Sequence, residues 1–184
     1  MKLPNAWMRQ AISDFRIAQH IDNDRTPQTR CQAISKYQQS VEKSVKAVLD
    51  KLHAAGLIRS GSDRRHAVAR YAEVLGGFPA DTKDRRYLLN ALRRLFSPSV
   101  IDQIQLLDSL VPEYPAPNTL ARRNHEYPFQ DDAGNWHAPS DANVFSAGEI
   151  KRIRSCAGRL VPRLAKILEA LDLLYPHPTQ EPSS

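Results

Sequence analysis

The chain has 184 residues, of which 41% are hydrophobic and 25% are charged, and its formal net charge is +6 at pH 7. This composition is typical of one soluble globular domain, and no apolar run is long enough to cross a bilayer. The first ten residues contain no apolar signal core, so a cytoplasmic protein without membrane contact is expected. The excess of Lys and Arg favours a polyanionic partner, although a merely solvated basic surface is the alternative.

Five helices are predicted before residue 112, because apolar residues recur there at three- and four-residue spacing. The second is the longest of them, at roughly thirty residues, and is long enough to span the domain. Capping side chains, first-turn prolines and terminal glycines mark where these helices begin and end. These signals are Asn5, Thr26-Pro27, Gly56, Ser62, Gly76-Gly77 and Ser97-Pro98.

From residue 112 to 145 the periodicity stops, and frequent Pro, Asn, Asp and Gly predict one long loop without strands. Ser146 and Glu149 then form a capping box that begins a last long helix, and Pro162 is expected to kink or split this helix. Residues 176–184 are predicted to be a disordered tail. The predicted architecture is a single all-α domain over residues 1–175. It is a helical bundle built on two long antiparallel helices, with shorter helices and one long loop.

The two cysteines, Cys31 and Cys156, lie within helical patterns and have no Cys or His neighbour at metal-ligand spacing. Buried, reduced thiols are therefore predicted, with a disulfide as the minor alternative. The sequence has no glycine-rich phosphate loop, no set of zinc ligands and no paired nucleotidyltransferase carboxylates, so neither a metal nor a cofactor is expected.

Two segments of the first two predicted helices carry a resemblance to a known family. They are AWMRQAISDFRIAQ at residues 6–19 and QSVEKSVKA at residues 39–47, and His66 follows before the third helix. With these motifs the chain resembles the HEPN family, the higher eukaryotes and prokaryotes nucleotide-binding domain, over most of residues 6–175. The resemblance implies a helical bundle that forms a homodimer. Glu42 and Lys46 within the second motif also have a plainer interpretation, as an ion pair on a solvated helix face.

The resemblance implies two alternative functions. Many family members are similar to metal-independent endoribonucleases of toxin–antitoxin or defence systems, in which an Arg holds the phosphate and a His moves the proton. Others bind a nucleotide or partner a nucleotidyltransferase, and Tyr127-Pro128 matches their signature. The expected partners are thus RNA or a nucleotide, with an antitoxin or a nucleotidyltransferase as a protein partner. The candidate catalytic residues are Arg122, Arg123, Asn124, His125 and Tyr127.

A second group of residues is a candidate for binding nucleic acid or nucleotide. Arg152, Arg159, Arg163 and Lys166 fall on one stripe of the last helix, provided that Pro162 does not rotate its register. Solvation of an amphipathic helix is the alternative for each of them. Trp136 is either a platform for stacking a base or an anchor that holds the loop to the core. Four arginines at positions 85, 86, 93 and 94 mark the fourth helix.

Overall fold

The computed structural model describes residues 3–59, 61–62, 68–76, 83–110, 125, 128–142 and 144–176. Over these residues the chain forms six α-helices and one two-stranded antiparallel sheet, which confirms the predicted all-α bundle. The helices are α1 Leu3–Asp22, α2 Pro27–Ala54, α3 Val68–Gly76, α4 Lys83–Leu95, α5 Pro98–Ser109 and α6 Ala147–Leu174. The strands are β1 Phe129–Gln130 and β2 Trp136–His137.

Helix α2 lies at the centre of the bundle and packs against α1, α3 and α6. Its apolar residues Tyr37, Val45 and Leu52 are completely buried, as are Leu160 and Leu164 of α6. Burial of large side chains in such a core contributes about 1.5–3 kcal/mol each. The apolar stripes predicted for the two 28-residue helices therefore form the core against which α1, α3 and α5 pack.

The directions of the long helices differ in part from the prediction. α1 and α2 pack antiparallel, because Asp14 of α1 contacts Lys43 of α2 and Trp7 lies beside Lys46. The predicted antiparallel pair at the centre is therefore α1 with α2. The two 28-residue helices α2 and α6 run parallel, since contacts from α2 reach Phe145 at the start of α6 and Tyr175 at its end. A tight turn joins α1 to α2, so the chain must reverse its direction between them. Many residues separate α2 from α6, and they allow α6 to run parallel to α2.

Most of the helix starts predicted from capping residues and prolines are confirmed. α2 begins at Pro27 after the N-cap Thr26, α5 begins at Pro98, and the capping box of α6 is confirmed by two hydrogen bonds between Ser146 and Glu149, of 3.1 and 2.8 Å. Asn5 does not cap α1, because the helix already begins at Leu3.

Two other predicted caps make different bonds. Ser62 donates its backbone N–H and its hydroxyl to the carboxylate of Asp50, at 2.6 and 3.0 Å, and thereby ties the chain after α2 back onto that helix. The residues between Ser62 and α3 that the prediction placed in the third helix lie outside the described part. Thr26 makes no side-chain capping bond, and its hydroxyl instead meets that of Thr29 at 2.9 Å.

α6 is one continuous helix of 28 residues that includes Pro162, so the proline does not split it. Buried residues keep the same helical spacing on both sides of the proline, from Ile153 and Leu160 to Leu164 and Leu171. The register of the outward-facing side chains is therefore also continuous along the helix.

The predicted strand-free loop contains a short hairpin, so that expectation was wrong for residues 129–137. Phe129 pairs with His137 and Gln130 with Trp136. The carboxylate of Asp131 organises the turn by accepting bonds from the backbone N–H groups of Ala133 and Asn135, at 3.0 and 2.8 Å. Gly134 adopts φ 83°, a left-handed conformation that glycine takes without strain.

Charged side chains are buried between α1 and α2, where the sequence pattern had indicated a solvated face. Glu42 and Lys46 form the expected ion pair at 2.7 Å, but both side chains are buried. Gln38 donates to the second carboxylate oxygen of Glu42 at 3.0 Å, and the Lys46 ammonium lies 5.8 Å from the centre of the Trp7 ring. Hydrogen bonding and a cation–π contact offset the cost of removing these charges from water.

Both cysteines are free and buried, as predicted. Burial raises the pKa of the Cys156 thiol to about 11 and also raises the pKa of Cys31. Both thiols therefore stay protonated near neutral pH and behave as small core residues. None of the described helices combines the length and apolarity that a membrane span requires.

Candidate nucleic-acid interface

The residues predicted to form a catalytic site lie mostly outside the described part of the chain. These residues are Arg122, Arg123, Asn124 and Tyr127. His125 is described, and it is 5% exposed. The side chain of His125 is therefore buried rather than solvated.

The candidate nucleic-acid-binding residues on α6 share one surface, here named the α6 row. All four side chains are exposed, and the continuous helix places them within an arc of about 60°. The first and last lie about 21 Å apart along the helix axis. The row consists of Arg152, Arg159, Arg163 and Lys166.

The α6 row lies on a stretch of α6 that contains basic residues and no acidic ones. Between Glu149 and Glu169 the helix has no Asp or Glu, although it has six Lys or Arg residues. Within the described residues, no ion pair involves a member of the row. Solvated amphipathic helices usually alternate charges of both signs on their outer face, so this helix departs from that pattern.

One end of the α6 row borders a small pocket between α5 and α6. Its volume is about 190 Å³, and Arg152 of the row and Asp102 of α5 both line it. Cys156 forms part of the floor. Because the Cys156 thiol is protonated, the pocket offers one cation and one carboxylate and no reactive nucleophile.

The arginines of α4 are not part of the α6 row. Arg86, Arg93 and Arg94 are exposed, but α4 packs against α3, whereas α6 packs against α1, α2 and α5. The side chain of Arg85 lies outside what the structure describes. The α6 row thus stands as a binding surface on its own helix.

Trp136 lies on the hairpin and is 58% exposed, so it does not anchor the loop to the core. Phe129 has that role, since it is buried and stacks on His137 with ring centres 5.5 Å apart. His137 is held in turn by the Asp131 carboxylate at 3.0 Å, and this bond lowers the pKa of Asp131 well below its ordinary value. The indole is consequently an exposed aromatic surface on a braced hairpin.

A further set of cations was missed by the sequence analysis. Arg25, Arg30, Lys151 and Arg154 line one pocket at the starts of α2 and α6. The signal that could have found them is the presence of basic residues near the N-termini of two helices, where acidic residues are favoured. No cluster of three or more metal-binding side chains occurs among the described residues.

Comparison of the chain with protein-family models, curated proteins and solved structures gives no match.

Proposed function

We propose that the chain is a HEPN-like protein that binds single-stranded RNA along the α6 row. The observation that carries this proposal is the row of four exposed cations on a helix face without acids. Lys and Arg gain affinity for nucleic acids by neutralising phosphates and releasing their counterions, which requires cations that are not already paired. The resemblance to the HEPN family supports the assignment to RNA.

A single strand fits this surface better than a duplex does. The row is one side chain wide and about 21 Å long, so it follows one backbone and not two. On the hairpin, the exposed Trp136 offers a further candidate contact, because its ring can stack an unpaired base and the bases of a duplex are not available for such stacking. Stacking of this kind contributes about 1–3 kcal/mol per base.

The test compares two variants that lose equal charge. In the first, all four residues of the α6 row are replaced by Gln, which has a similar helix propensity. In the control, four exposed arginines on α1, α3 and α4 are replaced instead. These control substitutions are Arg16→Gln, Arg70→Gln, Arg86→Gln and Arg94→Gln.

We expect the α6 variant to bind a labelled 20-nucleotide single-stranded RNA on the order of 100-fold more weakly at 0.1 M salt. Its plot of log affinity against log salt concentration should become shallower by about three. The control should keep most of the affinity and slope. Equal losses in the two variants would show that only net charge matters, and the proposal would then fail.

Cleavage of the bound RNA is a separate prediction that rests on His125. If the metal-independent mechanism operates, the protein cleaves RNA in the presence of EDTA. The His125→Ala variant then cleaves at a rate at least about 100-fold lower. The experiment uses the same labelled RNA and requires that the variant remains folded by circular dichroism. RNA binding without cleavage would assign the chain to the non-catalytic class.

A further inference from the structure

A second cationic site lies away from the α6 row, where the turn between α1 and α2 meets the first turns of α6. The pocket there has a volume of about 340 Å³. Among the described residues, four basic side chains line it against one carboxylate, that of Asp22. The basic residues are Arg25, Arg30, Lys151 and Arg154.

Two of these guanidinium groups are held in place by hydrogen bonds. Arg30 Nη1 donates to the backbone carbonyl of Phe145 at 3.0 Å, and Arg154 Nη1 donates to Asp22 Oδ2 at 3.0 Å. The same carboxylate oxygen accepts from the Tyr37 hydroxyl at 3.3 Å. Burial, together with the negative charge of Asp22, raises the pKa of Tyr37, so the phenol remains a donor to Asp22. The single acid of the pocket is therefore engaged by its neighbours.

The remaining two cations are exposed at the rim. Within the described part of the chain, neither Arg25 nor Lys151 takes part in an ion pair. Arg25 has a φ of 52°, a left-handed conformation that costs free energy in a residue with a side chain. The turn therefore holds Arg25 at the pocket in a backbone conformation that is unfavourable for arginine.

The position of these cations is unfavourable for the free protein. Arg25 and Arg30 flank the start of α2, Lys151 directly follows the first turn of α6, and Arg154 lies one turn further along. The N-terminus of a helix carries a partial positive charge, which repels cations and attracts anions. Four like charges around one cavity, of which only Arg154 is paired with the carboxylate of Asp22, add mutual repulsion. A bound anion relieves both effects, and nothing in the packing of the core requires Arg25 or Lys151.

We propose that this pocket binds a phosphomonoester dianion. Such a group carries nearly two negative charges at neutral pH and three acceptor oxygens, and guanidinium groups bind it through paired N–H donors. The volume lies at the lower end of the range for small-molecule sites, about 300–1,000 Å³, so it admits the phosphate together with part of a sugar. None of the lining residues belongs to the α6 row, so phosphate binding here is independent of the proposed RNA binding.

The test uses a variant that is expected to fold. Arg25→Gly removes a cation and relieves the left-handed strain, and Lys151→Gln removes a cation from an exposed position near a helix N-terminus. The control with equal loss of charge is Arg16→Gln with Arg70→Gln. Without ligand, the double variant Arg25→Gly/Lys151→Gln should melt no lower than the control.

Calorimetry with AMP, inorganic phosphate and adenosine then measures the site. AMP and phosphate should bind the unaltered protein, and adenosine should not. The double variant should bind AMP at least about tenfold more weakly, whereas the control should bind AMP as tightly as the unaltered protein does. Equal binding of AMP and adenosine would overturn the proposal, as would equal AMP binding by the double variant and the control. The four-residue variant of the α6 row should keep AMP binding, so failure of the RNA proposal is distinguished from failure of this one.

Two RNAs of one sequence, with either a 5′-phosphate or a 5′-hydroxyl, distinguish whether the phosphate that binds belongs to an RNA end or to a free nucleotide. Tighter binding of the 5′-phosphorylated RNA, lost in the double variant, assigns the pocket to RNA ends. Equal binding of the two RNAs, together with tight binding of AMP, assigns it to free nucleotides.

Discussion

Replacing both Lys36 and Lys43 by Met should lower the free energy of unfolding by about 3–5 kcal/mol. Asp14 is 1% exposed and is contacted by both ammonium groups, with the Lys36 Nζ at 3.4 Å from Oδ1. In the double variant the carboxylate keeps only the Gln10 amide, at 3.3 Å. One hydrogen bond from a neutral amide does not offset the lost hydration of a buried carboxylate without a countercharge, which is the cause of the large effect.

The control for this prediction removes the buried charge as well. Asp14→Leu replaces the carboxylate by an apolar group of similar shape, and adding it to the double variant should restore most of the lost stability. Each single lysine variant should lose less than the double variant, because one ammonium remains on Asp14. Urea unfolding measures the unaltered protein and the four variants, and the dependence of the unfolding free energy on urea concentration should have the same slope in all five. A triple variant no more stable than the double variant would show that the lysines act by packing and not by compensating Asp14.

Replacing Lys51 by Ala should lower the free energy of unfolding by about 3 kcal/mol. The side chain is 1% exposed, and its ammonium donates to the backbone carbonyl of Tyr175 at 2.8 Å and pairs with Asp172 at 2.6 Å. These bonds join the last turn of α2 to the end of α6. The substitution removes the contacts, leaves a cavity where the methylene stem packed, and frees the end of α6.

Lys51→Met separates packing from hydrogen bonding, since it keeps an unbranched apolar stem and loses the ammonium. We expect it to lose about 1–2 kcal/mol, between the unaltered protein and Lys51→Ala. Thermal and urea unfolding of the three proteins give the ranking. A Lys51→Ala variant within about 1 kcal/mol of the unaltered protein would contradict the prediction that this lysine joins the two helices.

The helices and most of their ends are determined by the sequence alone. Apolar spacing identifies each helix, and the proline at position 27, the proline at position 98 and the Ser146–Glu149 capping box set three helix starts. These signals are short-range, because a helix forms from hydrogen bonds four residues apart and caps act within one turn. The same locality explains why the α6 row was predictable, since its members are neighbours on one helix.

Tertiary structure decided which polar residues are buried and which distant residues meet. Glu42 and Lys46 have the spacing of a solvated ion pair, yet α1 covers them, and Trp136 is left exposed although a lone Trp in a loop often anchors it. The pocket proposed to bind phosphate joins residues 22–30 to residues 147–154, which no local pattern connects. The physical reason is that burial and long-range contact depend on which helix faces cover one another. That arrangement is fixed by packing of the whole core, and periodicity within one segment does not contain it.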